Sequence, residues 1–162
     1  LSDTQQEKFT DTIGREWRLS FSLGNARRVK NELGFDIGDL HGGKAFAMLA
    51  LDPMKLGHLL WVLCESQADA MKVDEESFAE GFGGETLTDA LTALEVAVIN
   101  FSPPYLRETV RKAIAVSIET LEQGAATAVA MVEEHKEQIK GVIEKETRKQ
   151  MEGITSGKQS QD

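Results

Sequence analysis

Four kinds of residue in this chain have side chains that do chemistry elsewhere: three histidines, a single cysteine, a glycine pair ahead of a lysine, and many carboxylates. A zinc site needs three or four ligands brought to one point, usually by C-x-x-C or H-E-x-x-H spacing. Neither motif occurs. His41, His58 and His135 fall on three separate predicted elements, and Cys64 follows His58 by six residues, which on a helix puts them on different faces. No metal is expected. Cys64 falls in mid-helix, where no helix dipole lowers its pKa, so it reads as a small core residue rather than a nucleophile. His41-Gly42-Gly43-Lys44 has glycines before a lysine at a helix start, but it lacks the G-x-x-x-x-G-K-[ST] spacing, and Ala45 stands where a hydroxyl would be needed. It reads as a flexible turn into a helix. Carboxylate pairs are abundant only because acids are abundant, and Trp17 and Trp61 are expected in the core. The residue types therefore point to no catalytic, cofactor-binding or metal-binding set, and to an interaction protein rather than an enzyme.

The elements that would hold a partner follow from composition and pattern. The 162 residues carry a formal charge of −9, with 41% apolar and 28% charged residues, which fits one domain plus an appendage. No run approaches the roughly 20 apolar residues of a spanning helix, so no membrane association is expected. A chain opening on Leu1 without a basic-then-apolar leader reads as cytoplasmic, with its initiator or a leader segment missing, and one cysteine suits a reducing compartment. Residues 1–55 hold eight acids and eight bases, whereas 65–95 hold nine acids against Lys72 alone. That field repels a phosphate backbone, so nucleic acid is not an expected partner despite the Arg27-Arg28-Lys30 and Arg107-Arg111-Lys112 clusters. The acids read as a solvated helix face, with a surface for a basic partner as the alternative.

Along the chain, residues 1–8 are expected to be flexible. Residues 9–118 read as a β-hairpin plus a helical domain. The hairpin turns at Gly14-Arg15, and Trp17, Leu19 and Phe21 alternate with polar residues as its inward, packing positions. Asn25 is the predicted cap of a helix ending at Gly34, Phe35–Gly43 a loop, and Lys44–Leu51 a short helix. Asp52-Pro53 starts the principal core helix, with Leu56, Leu59, Leu60, Leu63 and Cys64 through Met71 on its buried face. Asp74 begins a short helix carrying Phe78 and Phe82. A further helix spans about Thr86 to Phe101, and Ser102-Pro103 reads as the start of a final helix reaching about Met151.

That last helix carries a seam. Ile114, Ile118, Leu121, Ala125, Ala128, Val132, His135, Ile139 and Val142 are separated alternately by four and three residues. This is a heptad pattern, weakened by Ala125, Ala128 and His135 and by Gly124 and Gly141. Residues 119–152 are expected to form an extended arm and 153–162 a flexible tail. The overall expectation is a mainly α fold, with a small N-terminal β-hairpin packed on a helical domain and a long C-terminal helix.

The succession of features resembles a known family. Trp17-Arg18-Leu19-Ser20-Phe21, Arg28-Val29-Lys30 before Gly34, Leu51-Asp52-Pro53, Leu59-Leu60-Trp61, Gln67-Ala68, Phe78, Leu87-Thr88-Asp89-Ala90-Leu91 and Phe101-Ser102-Pro103 together resemble the tail assembly chaperones of long-tailed bacteriophages and related phage-derived particles, over about residues 9 to 118. The resemblance implies a non-enzymatic protein of the host cytoplasm, without cofactor. Such a protein binds and shields the tape measure protein, meets the tail tube protein as the tube polymerises, self-associates, and is absent from the mature virion. The helix beyond Glu119 exceeds the family's compact domain. Ile118, Leu121, Val132, Ile139 and Val142 are its candidate partner-binding residues, as a tape-measure-binding or oligomerisation arm; the alternative is that the arm folds back on its own core. A structural tail or connector subunit retained in the particle is the alternative function.

Overall fold

A computed structural model describes residues 7–19, 21–34 and 36–156. It is mainly helical, with a two-stranded hairpin at the N-terminus and a long helix at the C-terminus. Two compact units divide the chain at residues 119 and 120. Most of the N-terminal segment expected to be flexible, and residues 157–162 of the expected tail, lie outside the described residues.

Strands β1 (Lys8–Thr10) and β2 (Glu16–Arg18) pair antiparallel, with Phe9 opposite Trp17. Because side chains alternate along a strand, Phe9 and Trp17 share the buried face, while Lys8 and Glu16 form an exposed ion pair at 2.8 Å. Asp11 builds the turn: its Oδ1 accepts from the backbone N–H of Ile13 at 3.0 Å and of Arg15 at 2.8 Å. Gly14 supplies the positive φ of 90° that the reversal requires. The ladder ends at Arg18, short of the strand expected through Phe21. Leu19 still donates its N–H to the Glu7 carbonyl and is fully buried, but Ser22 already caps the next helix, so the backbone has to leave the strand.

Helix α1 (Leu23–Leu33) is capped by Ser22, whose Oγ accepts from Asn25 N at 3.1 Å, so the cap sits three residues before the predicted Asn25. Gly34 closes it in the left-handed region at φ 72°. The expected loop contains a short helix, α2 (Ile37–His41), because Asp36 caps it through Gly38 N at 3.0 Å. Then come α3 (Lys44–Leu51) and α4 (Pro53–Met71), the latter started by Asp52 accepting from Lys55 N at 3.0 Å with Pro53 in the first turn. Asp74 caps α5 (Glu75–Ala79) through Ser77 N at 2.8 Å, and α6 (Gly84–Phe101) starts two residues before the expected Thr86. Ser102 ends α6 rather than opening the final helix. Its hydroxyl donates to the Val98 carbonyl at 2.9 Å, a turn follows over Pro103–Leu106, and α7 runs from Arg107 to Ser156, beyond the expected Met151.

The core of the first unit gathers Leu56, Leu59, Leu60, Leu63 and Cys64 of α4 with Val29, Phe46, Leu94, Val98 and Ile114. Met71, assigned to the buried face of α4, lies in its last turn and is exposed. An aromatic stack binds the hairpin to this core. Trp17 meets Phe78 edge-on with ring centroids 4.7 Å apart, Phe78 contacts Phe82 at 4.9 Å and Trp61 at 5.4 Å, and Phe82 reaches Phe9 at 5.6 Å. Phe21 is half-buried against Phe101. Seven of the nine acids in 65–95 lie exposed. The other two are half-buried: Glu65 pairs with Arg28, and burial pushes the Glu95 carboxyl up, partly offset by Arg111.

Candidate interaction surface

The chemistry-bearing residues occupy structural places. Gly43 sits at the N-terminus of α3 with φ 78°, and a Cβ built there would collide with the Ala113 carbonyl oxygen and Ser117 Oγ. The glycine pair therefore admits close approach of two backbones, and the expected flexible turn is a packed one. The space that a phosphate would need beside Gly43 is filled by α7. Cys64 is buried in α4, and desolvation pushes its thiol up to about 12, the reverse of nucleophile activation. Among the described residues, no three His, Cys, Asp or Glu side chains converge to hold a metal ion.

One constellation escaped the sequence. His41 Nε2 lies 3.1 Å from Ser102 Oγ, 61 positions apart in the chain. An activated serine donates its proton to the histidine. Here the hydroxyl proton goes to the Val98 carbonyl, so Ser102 accepts from the imidazole and the pair ties α2 to the end of α6. No local pattern announces this contact, since each partner is an ordinary helix-end residue.

Five of the six residues in the two basic clusters make ion pairs or hydrogen bonds, and Arg27 is exposed. Arg28 pairs with Glu65 and Glu32, Lys30 with Asp36, and Arg111 and Lys112 with Glu108. Arg107 donates to the carbonyls of Ser102 and Asn100. No single described helix is long and apolar enough to cross a membrane.

Of the hairpin positions, Trp17 and Leu19 are fully buried and Phe21 half-buried, so they pack inward. Asp11 anchors Trp17 by accepting its indole N–H at 2.9 Å and also accepts Arg15 Nε at 2.6 Å, while the Arg15 guanidinium donates to the Ser77 carbonyl. Burial raises the Asp11 carboxyl, but the hydrogen bonds from Trp17, Arg15 and Ile13 outweigh it and hold the group below its ordinary value.

The seam of α7 divides. Ile114 is buried, Ile118 is packed against the core of the first unit, and Leu121 is half-buried. Beyond it Val132, Ile139 and Val142 are 67%, 52% and 63% exposed. Ala125, Ala128 and His135 are exposed too, as are Val129, Ile143 and Ile154, which lie outside the heptad pattern. A straight helix drifts about 20° per heptad, so by Val142 a strict seven-residue seam has turned about 60° away from Leu121. Ile143 and Ile154 drift by similar angles to the other side of Leu121, about 40° and 60°, so the exposed apolar side chains, Val129 among them, spread over a broad stripe rather than one line. Sequence spacing could have found Ile143 and Ile154, had an eleven-residue period been tried beside the seven. The resulting surface is a helical strip of large exposed apolar side chains bordered by charge. Compared with protein-family models, curated proteins and solved structures, the chain finds no match.

Proposed function

We propose that this protein is a tail assembly chaperone of the long-tailed-phage type, a non-enzymatic protein of the host cytoplasm that binds and shields segments of a tape measure protein. It works without cofactor, nucleotide or metal, and is displaced as tail tube protein polymerises. The observation that carries the proposal is the apolar strip along α7, where Val129, Val132, Ile139, Ile143 and Ile154 are each more than half exposed. A very long helical client exposes apolar stripes that aggregate unless covered, and a strip of this kind covers them helix against helix. Many weakly bound copies on one client hold it by avidity, yet each leaves readily when a competing subunit arrives. The succession of motifs over residues 9–118 supports the same reading.

The test is affinity purification of the tagged full chain from producing cells, with mass spectrometry of purified particles in parallel. Capture of a very long helical protein, with the tagged chain missing from particles, is the expected result. Retention in particles at fixed stoichiometry would instead make it a structural tail or connector subunit.

A further inference from the structure

All five methionines of the chain are exposed, although methionine is ordinarily a core residue. Met131 and Met151 lie on α7, and Met71 ends α4. Met48 and Met54 stand on either side of Asp52, where the axes of α3 and α4 turn by 108°. Lys44, Met48 and Leu51 recur at four and three residues, so they share the exposed face of α3, with Phe46 and Leu49 buried beneath. Met48, Leu51 and Met54 are each more than half exposed.

Beside this elbow lies a cavity of about 460 Å³. Its apolar wall is Leu33 of α1 with Ala45, Met48 and Leu49 of α3, so Met48 belongs both to the exposed face and to the cavity. A volume of this size admits more than one large apolar side chain. Two cations border it, Lys44 in the first turn of α3 and Lys55 in the first turn of α4, against one carboxylate, Asp39. Both lysines are exposed, and neither takes part in an ion pair among the described residues. A lysine in the first turn opposes the helix dipole, so neither stabilises the helix that carries it.

We propose that the α3–α4 elbow is a docking site for an acidic amphipathic helix of another protein. The apolar stripe of that helix lies on Met48, Leu51 and Met54 with an anchor side chain in the cavity, and carboxylates flanking the stripe pair with Lys44 and Lys55. Charge selects this occupant. At −9 the chain as a whole attracts basic partners, so a preference for an acidic one has to come from the local cations, which a basic or neutral helix would cover without pairing. Flexible thioether side chains reshape around stripes of different sequence, so the surface fits a class of helices rather than one. The elbow belongs to the first unit and the exposed strip of α7 to the second. The site does not depend on the chaperone reading; under that reading it is a second hold on the client.

NMR of the full chain with methyl-labelled methionine tests it, since Met48 and Met54 report on the elbow, Met131 and Met151 on the strip, and Met71 on neither. The probes are two synthetic helical peptides with the same leucine stripe, flanked by glutamate in one and by lysine in the other. The glutamate peptide should shift Met48 and Met54. Lys44→Glu with Lys55→Glu, both at exposed positions, should weaken that binding about tenfold or more and strengthen binding of the lysine peptide. No shift at Met48 and Met54 overturns the proposal, as does a response confined to Met131 and Met151. Equal shifts with the lysine peptide overturn it too, because the cations would then select nothing. Shifts that grow with protein concentration alone would assign the face to a second copy, and shifts only on vesicles of anionic lipid would assign it to a membrane; either overturns the helix site. Capture of a tape measure protein by a chain whose Met48 and Met54 do not respond would sustain the chaperone reading and overturn the docking site.

Discussion

Replacing Trp17 by alanine tests how the hairpin is held to the helices. Trp17 is fully buried, packs edge-on against Phe78 at 4.7 Å, donates its indole N–H to Asp11 Oδ2 at 2.9 Å, and has the Arg15 guanidinium 5.5 Å from its ring centroid. Truncation removes the apolar burial and leaves a cavity between β2 and α5, and such changes cost about 3–5 kcal/mol. Against a total stability of about 5–15 kcal/mol this is a large fraction, equivalent to a fall of roughly 10–20 °C in Tm for a unit of this size. A second variant separates packing from polarity. Trp17→Phe keeps a ring against Phe78 but withdraws one donor from the buried Asp11 carboxylate, which retains Ile13 N, Arg15 N and Arg15 Nε. Its expected cost is about 2 kcal/mol, the range for a hydrogen bond to a charged group. Urea unfolding followed by circular dichroism reads both. If Trp17→Ala cost less than Trp17→Phe, or nothing at all, the tryptophan would not be the anchor that its burial describes.

Three further outcomes rest on particular contacts. Because the Asp11 carboxyl is held below its ordinary value of 3.8 in the fold, its stabilising contribution is present above that value and disappears as pH falls through the lower folded pKa; Asp11→Asn should flatten the acid limb of a stability–pH curve, and an unchanged limb would remove Asp11 from the account. Gly43→Ala should destabilise by about 2–4 kcal/mol in chemical denaturation, since it adds a methyl group against the Ala113 carbonyl at a positive-φ position, whereas Gly57→Ala in α4, which meets no neighbour within 4 Å, should be neutral or stabilising. Cys64 should resist thiol reagents in the native chain and react at once in denaturant, and rapid labelling of the folded protein would contradict its burial.

The amino-acid sequence determined the local elements by itself wherever a short-range hydrogen bond sets them. Asp52-Pro53, Asp74 and Gly34 each act within one turn of their own helix, so α4, α5 and the end of α1 were legible where they occur. The periodicity of Leu56, Leu59, Leu60 and Leu63 likewise identified the core face of α4, because burial of one helical face repeats with the helix itself. Competition between elements was not legible. Ser102 has the chemistry to cap either of two helices, and only the position of Val98 sent its proton to α6. Gly43 looked flexible in isolation, and its true constraint is the Ala113 backbone 70 positions away. The candidate surface was read in part. Leu121, Val132 and Ile139 were recognised from spacing, but the exposed Val129, Ile143 and Ile154 fall outside the heptad pattern and were missed. Which members are covered depends on the first unit, whose core takes Ile114 and Ile118, while Val132 and Ile139 stay exposed. Local pattern states what a segment can form, and the tertiary structure alone decides which of its faces is already occupied.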